Sequence, residues 1–246
     1  MLGAAATGAI GAARRPVPPR FPAELFVRLA ALAPSCETAW DAATGQGAVA
    51  SNLVRFFSRV IASDKRRTVV ASAARDPRVN YMVAMAEESG LASSSVDLVV
   101  ASQALHVLDT DAFYPEVRRL LKPGGVIAAW CYGDCLVGGP IEGELSRVRT
   151  ELAGYWGPER DLVASGYSGI PFPFCEINIP PQCLRASWTL SDLLGHLRTW
   201  QGARAYEKSR GQEALERLLI GVAEVWGTPT VTREMAWPIR VRIGQA

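Results

Sequence analysis

Histidine is scarce in this sequence, and neither sign of charge is in excess. It carries two histidines, His106 and His196, and a net charge of +2. So weak a positive balance leaves no footprint for nucleic acid, which is not expected as a partner. The longest basic run, Lys65-Arg66-Arg67, reads as a solvated face. The five cysteines (Cys36, Cys131, Cys135, Cys175, Cys183) show no zinc-ligand spacing. With so few histidines to complete a ligand set, no metal is expected. The odd cysteine count reads as a set of reduced, cytoplasmic thiols.

Long hydrophobic runs are missing too. None reaches the ~18 residues of a membrane span, so no membrane partner is expected. The opening "MLGAAATGAIGAARRPVPPR" places its arginines after the apolar part, whereas a secretory signal places its positive charge first. Residues 1–20 are read as a flexible N-terminal segment. Neither a heptad nor an internal repeat appears, which leaves the oligomeric state unassigned. What is present is ordinary globular chemistry: 49% apolar and 20% charged residues in 246, enough to bury a full core.

Short β-type runs alternate with helical stretches through the first half. The strand candidates are "ETAWDA" (37–42), "RVIAS" (59–63), "VNYMVA" (79–84), "VDLVVAS" (96–102) and "GVIAAWCY" (125–132). They are nearly continuous apolar runs, the pattern of strands covered on both faces of a parallel sheet. Helices are expected near 47–58, 65–74 and 110–121, the last ended by Pro123 and Gly124-Gly125. This alternation argues for a doubly wound α/β sheet, with ligands outside the carboxyl ends of its strands.

After residue 133 the pattern changes. One helix is expected at 141–153, followed by a stretch rich in Pro, Gly and aromatics, read as a lid over about 134–183. "LRASWTL", a helix from Ser191 to Gln201, another near 210–226 and a final strand "WPIRVRIG" complete the sheet. A single domain over 21–246 is expected.

The stretch "AWDAATGQGAVA" joins the first strand to the first helix. Gly45 and Gly47 let main-chain N–H groups approach a ligand, because glycine has no obstructing Cβ. Asp41, at the strand end, can accept hydrogen bonds and order the turn. Asp64 ends the next strand, where a carboxylate can bond both hydroxyls of a ribose; alternatively it caps the helix that follows. Glu87 follows the third strand, at the place of an adenine edge; alternatively it is a surface carboxylate beside Glu88. Three elements at successive strand ends favour a nucleotide-like cofactor.

With these residues in place, the chain resembles the class I S-adenosylmethionine-dependent methyltransferases. More narrowly, it resembles the small-molecule group of trans-aconitate methyltransferase-like proteins. The likeness covers about residues 18–244, carried by "WDAATGQG", "VIASD", "SVDLVVASQALH", "FYPEVRRLLKPGGVIAAW", "GYSGIPFPF" and "LLGHLRTW" in the group's order. It implies a single Rossmann-like doubly wound sheet, mostly parallel with an antiparallel last strand, and a lid insertion after strand five.

The resemblance also implies roles. The loop Asp41–Gly47, with Ala43, Gly45 and Gly47, would hold the methionine part of S-adenosylmethionine. Asp64 would hold its ribose, Ala86 and Glu87 its adenine, and Ser102 and Gln103 would flank the sulfonium. His106 would stand near the reaction centre as base or orienting group, because its pKa suits neutral pH; alternatively it is a core histidine bonded to a backbone carbonyl. Tyr132 and Asp134 could assist. Tyr155, Trp156, Tyr167, Phe172 and Phe174 would wall the acceptor pocket, or simply pack within the lid.

The chain departs from the group's pattern in three places. Ala43 replaces the usual first glycine, which is tolerable if that residue keeps a negative φ. Val107 and Leu108 stand where two aromatics usually follow the histidine. Val17-Pro18-Pro19 stands where a Tyr-Arg-Pro segment usually closes over the cofactor. The expected activity is methyl transfer to a small molecule bearing a carboxylate, hydroxyl or amine. The first alternative is cyclisation of S-adenosylmethionine itself to azetidine-2-carboxylate, releasing methylthioadenosine. A non-catalytic cofactor-binding module is the second, and a nucleotide-sugar or NAD-dependent enzyme is the third.

Overall fold

The buried apolar runs of the sequence become strands. A computed structural model describes residues 19–73 and 76–245. Most of the flexible segment expected at 1–20, and Val17 and Pro18 with it, lies outside the described residues. In chain order the elements begin with α1 (Ala23–Leu32), β1 (Thr38–Ala42), α2 (Ala50–Leu53), β2 (Arg59–Asp64), α3 (Arg67–Ser72) and β3 (Val79–Val83). They continue with β4 (Val96–Ser102), a 3-10 turn (Leu105–Val107), α4 (Thr110–Leu120) and β5 (Leu121–Tyr132). Then follow α5 (Gly139–Glu151), α6 (Glu159–Ala164), β6 (Cys175–Glu176), β7 (Gln182–Trp188), α7 (Leu190–Thr199), α8 (Gln201–Arg210), α9 (Gln212–Trp226) and β8 (Arg233–Gln245).

The chain divides into two compact units. One comprises Phe21–Gly133, Asp161–Cys183 and the segment from Pro238 onward; the other holds Asp134–Arg160 and Leu184–Trp237. The first is the sheet unit, with strand order β3-β2-β1-β4-β5-β8-β6. The strands β1 to β5 pair in parallel, and β8 runs antiparallel to β5 and to β6. This is a Rossmann-like α/β architecture. All five residues of β1 are buried, as its unbroken apolar run requires. The second unit is mainly helical, built on α5, α7, α8 and α9. A capping box of Thr189 and Asp192 starts α7. No helix among the described residues is long and apolar enough to cross a membrane.

Differences from the sequence expectation have local causes. The helix expected at 47–58 contracts to Ala50–Leu53. Ser51 and Asn52 bond back to the carbonyls of Gly47 and Ala48, and the bonds from Arg55 and Phe56 reach only three residues back. β5 begins at Leu121, before the glycines, because Val96 pairs with Leu121 and Leu98 with Val126 across a bulge. Helix α1, not anticipated, buries Leu25, Phe26 and Leu29, a helical spacing plain in the sequence. Helix α8 extends the pattern where only a join was expected.

The stretch read as a lid divides between the units at Arg160/Asp161. Its second half does not stand apart from the sheet unit: Tyr167, Ile170, Phe172 and Phe174 belong to the same core cluster as Trp40, Phe113 and Ile127.

Candidate active site

Asp41 closes β1 and organises the loop that follows. Its buried carboxylate accepts from Thr44 Oγ1 at 2.5 Å and from the Ala50 N–H at 3.0 Å. One group thereby braces both the turn and the start of α2. Burial raises its pKa to about 7, against those hydrogen bonds, and the charge of Asp64 adds to the rise.

The sequence expectation for Ala43 needs correction: its φ is +55°, in the left-handed region, not negative. An L-residue there costs about 1–2 kcal/mol. The neighbouring anchors that hold it include the Thr44 N–H, bonded to Ser63 O at 2.8 Å. Gly45 and Gly47 also have positive φ, but for different neighbours. A Cβ on Gly45 would meet nothing within 4 Å, so this main chain faces open space. A Cβ on Gly47 would lie 2.2 Å from the Tyr81 hydroxyl, so Gly47 makes room for a side chain of β3.

Asp64 ends β2 and is joined to the loop directly, accepting from the Gly45 N–H at 3.2 Å. Arg66 donates to the same carboxylate from its backbone N–H (2.9 Å), Nε (3.1 Å) and a terminal nitrogen (3.2 Å). Four donors match the roughly four lone-pair sites of a carboxylate. Burial works to raise the pKa of Asp64, yet the bonds and charge of Arg66 hold it below the usual carboxylate range. Asp64 does not cap a helix with its side chain; Arg66 holds the N-cap position of α3, without a side-chain bond.

Ala86 is buried after β3, and Glu87 accepts from the Asp109 N–H at 3.1 Å. This loop is tied down by a residue that the sequence did not single out: Glu116 of α4 accepts from Ser89 N–H (3.0 Å) and Oγ (2.6 Å). Ser102 and Gln103 follow β4. Gln103 has a φ of +53°, donates its N–H to Trp130 O at 2.8 Å and its Nε2 to Tyr132 O at 2.7 Å. Its Oε1 is buried with no partner. Exchanging the two amide atoms would set Oε1 against a carbonyl, so the orphan is an acceptor. Such a group costs about 1–3 kcal/mol, and strain beside it marks a functional site.

His106 lies on the 3-10 turn after β4. Its Nδ1 is 2.9 Å from the Tyr167 hydroxyl, and the rings are 5.8 Å apart. Its identified partner is thus a tyrosine and not a backbone carbonyl. Tyr167 is fully buried, and Phe172 is 9% exposed, so both serve as core packing in the sheet unit. Tyr132, at the end of β5, has its hydroxyl pKa raised by burial, with Gln103 opposing. A phenol so held is a donor and a poor base at neutral pH.

The other expected acceptor-side residues lie in the helical unit. Tyr155 packs on Tyr206 at 5.1 Å and its hydroxyl accepts from Arg210 Nε at 3.1 Å. Trp156 packs on Trp200 at 5.6 Å under the Arg160 guanidinium at 3.8 Å. Asp134 is committed to Arg160 (2.6 Å) and Arg149 (3.2 Å), an ion-pair role and not an acid–base one.

The sheet unit therefore joins Asp41, Ala43, Gly45, Gly47 and Asp64 in one bonded loop system, and pairs His106 with Tyr167. Arg66, Tyr81 and Glu116 are the residues that sequence reasoning missed. Arg66 adjoins Asp64 in a basic run, a signal available but read as solvated; no sequence spacing points to the other two.

Comparison with known proteins agrees with this geometry. Residues 40–129 match the methyltransferase domain family. A solved structure from Anaeromyxobacter dehalogenans, assigned as a type II methyltransferase, is 38% identical with a TM-score of 0.88, covering 93% of this chain and 98% of its own. A Dictyostelium discoideum protein named as a methyltransferase is 27% identical over 186 residues, 74% of this chain and 71% of its own length. Methyltransferase ptaI of Pestalotiopsis fici is 31% identical over 130 residues, which span 47% of this chain and 38% of the fungal protein. The chain belongs to the class I S-adenosylmethionine-dependent methyltransferases.

Proposed function

We propose that this enzyme transfers the methyl group of S-adenosylmethionine to a small molecule bearing a carboxylate, hydroxyl or amine, with its cofactor residues at the carboxyl ends of β1 to β4. The observation that carries this reading is the bonded pair of loop and strand end: Gly45 N–H on Asp64, beside main chain that faces open space. The residues fit the cofactor. Open space over Gly45 admits close approach of a ligand, and the unpartnered Gln103 Oε1 suits a cationic or hydroxyl group. Asp64 fits once the exposed Arg66 side chain moves aside, since both take the same lone pairs.

The cofactor supplies a methyl group on a sulfonium, activated for in-line displacement without help from the protein. The chain's own work is alignment and exclusion of water. In this reading Asp41 braces the loop, Asp64 holds the ribose, and Ala86 and Glu87 contact the adenine. Ser102 and Gln103 flank the reacting sulfur, and His106 orients the acceptor. Tyr132 serves as a hydrogen-bond donor. Tyr155 and Trp156, in the helical unit, are proposed to recognise the acceptor, and residues 21–246 are proposed to act as one methyltransferase-like domain.

Mass spectrometry of small molecules after incubation with S-adenosylmethionine tests the reading. S-adenosylhomocysteine that forms only with a metabolite extract supports it, and one metabolite should gain a methyl group. Methylthioadenosine formed without extract would replace it with the cyclisation.

A further inference from the structure

The Tyr167 hydroxyl is held from three sides. The backbone N–H groups of Ala104 and Leu105 both donate to it, and His106 Nδ1 lies 2.9 Å away. A tyrosine hydroxyl has one proton to give and two lone pairs. With both lone pairs taken by N–H donors, its proton points at the histidine. Nδ1 of His106 is then the acceptor, and a neutral imidazole that accepts at Nδ1 carries its proton on Nε2.

The backbone around Tyr167 is built to keep this hydroxyl in place. Tyr167 has a φ of +67°, uncommon for a bulky residue. Its N–H bonds Leu162 O at 2.8 Å, and its carbonyl accepts from Arg242 at 3.1 Å. The same guanidinium holds Ile170 O at 2.6 Å. Gly166, also at positive φ, leaves no room for a Cβ against Arg240, at 2.7 Å. A strained residue pinned at several points, with no exposed surface, fits a positioning role.

We propose that Tyr167 is a positioning residue whose hydroxyl fixes His106 in the tautomer protonated at Nε2, so that the ring meets the methyl acceptor as a hydrogen-bond donor and not as a base. The inference rests on the reading that His106 works at the acceptor. It also adds to it: an acceptor met this way attacks with a lone pair it already holds, and any proton it gives up goes to solvent and not to His106.

The chain has only two histidines, and they are expected to show opposite tautomers. His196 Nε2 accepts from Trp200 Nε1 at 3.2 Å, and indole only donates, so His196 carries its proton on Nδ1. Nitrogen-15 NMR of the full chain labelled at histidine, at about pH 8, reads both rings, with His106→Gln assigning them. The expected result is Nε2–H for His106 and Nδ1–H for His196. Tyr167→Phe should leave His196 unchanged and move His106 into a mixture of tautomers. Nδ1–H at His106 in the wild-type chain overturns the proposal. So does an unchanged His106 in a Tyr167→Phe variant whose His196 is intact. Should that variant fail to fold, the wild-type spectrum alone decides the tautomer.

Turnover separates donor from base. Gln retains an N–H donor and has no basicity. With S-adenosylmethionine and a metabolite extract, His106→Gln is expected to release S-adenosylhomocysteine at least tenfold faster than His106→Ala. Equal, low rates in both overturn the donor role. Wild-type rates in both would remove His106 from the acceptor, and the spectrum would still decide what Tyr167 does to its ring.

Discussion

The Arg66 guanidinium grips the Asp64 carboxylate with Nε 3.1 Å from Oδ1 and a terminal nitrogen 3.2 Å from Oδ2. The carboxylate is 4% exposed and the arginine 62%, so the cation is the partner able to leave. If Asp64 binds the ribose, Asp64→Ala should weaken S-adenosylmethionine by at least tenfold with the fold intact. Arg66→Ala should tighten it. A pair with one exposed member contributes about 0.2–1 kcal/mol, which corresponds to up to about fivefold in affinity. Titration calorimetry on the two variants reads both effects. Unchanged affinity in Asp64→Ala would remove the ribose role, and weaker binding in Arg66→Ala would make the arginine part of the grip.

Asp41 gives a pH dependence of definite sign. Its pKa rises from 3.8 to about 7 in the folded chain, chiefly through burial. Between about pH 4 and 7 the folded state holds a proton that the unfolded chain has released. This group's contribution to stability therefore falls as pH rises through that window and levels off above it. Asp41→Asn stays neutral at every pH, so its stability relative to wild type should improve steadily from pH 4 to 7. Urea unfolding across that range checks it; a constant difference would mean that Asp41 ionises normally.

Glu116 behaves in the opposite sense. Hydrogen bonds from Arg119, ahead of those from Ser89, lower its pKa from 4.5 to about 2 despite burial. Its contribution to stability is present above about pH 4.5 and is lost as pH falls toward 2. Glu116→Gln should destabilise the chain at pH 7 and match wild type at the acid end. It should also loosen Ser89, and hydrogen exchange at the Ser89 and Leu91 amides should rise. Unaltered exchange would mean that the loop after β3 does not depend on this anchor.

The parallel sheet was legible because its strands are buried on both faces, which leaves no alternation to misread: Thr38–Ala42 and Val96–Ser102 stand where their apolar runs end. The acidic residues at β1 and β2 were legible for the same reason, since strand ends fix their places. Side chains that meet across the fold were not. His106 and Tyr167 are 61 positions apart, and neither flanking sequence marks the contact. The φ of Ala43 was misjudged because a glycine-replacing residue gives no sign of whether tertiary bonds, such as Thr44 N–H on Ser63, force it left-handed. The aromatics of "GYSGIPFPF" were read as pocket walls from composition. Their burial against α4 depends on pairings such as Tyr114 with Phe174, at 5.4 Å, which composition cannot order.

The two loop glycines should separate cleanly. Both have positive φ, so an alanine at either costs about 1 kcal/mol of backbone strain. Gly45→Ala adds a methyl to open space, so its stability loss should stop there while cofactor affinity falls further. Gly47→Ala drives a methyl into the Tyr81 hydroxyl, so its larger effect should be on stability. Removing that oxygen relieves the closest contact and leaves ring carbons at 3.0 and 3.1 Å. Tyr81→Phe should therefore recover part of the Gly47→Ala loss and none of the Gly45→Ala loss. A double-mutant cycle in thermal or urea unfolding measures the coupling. Additive effects for Gly47 and Tyr81 would mean that the loop moves aside freely, and that Gly47, like Gly45, is there for the ligand.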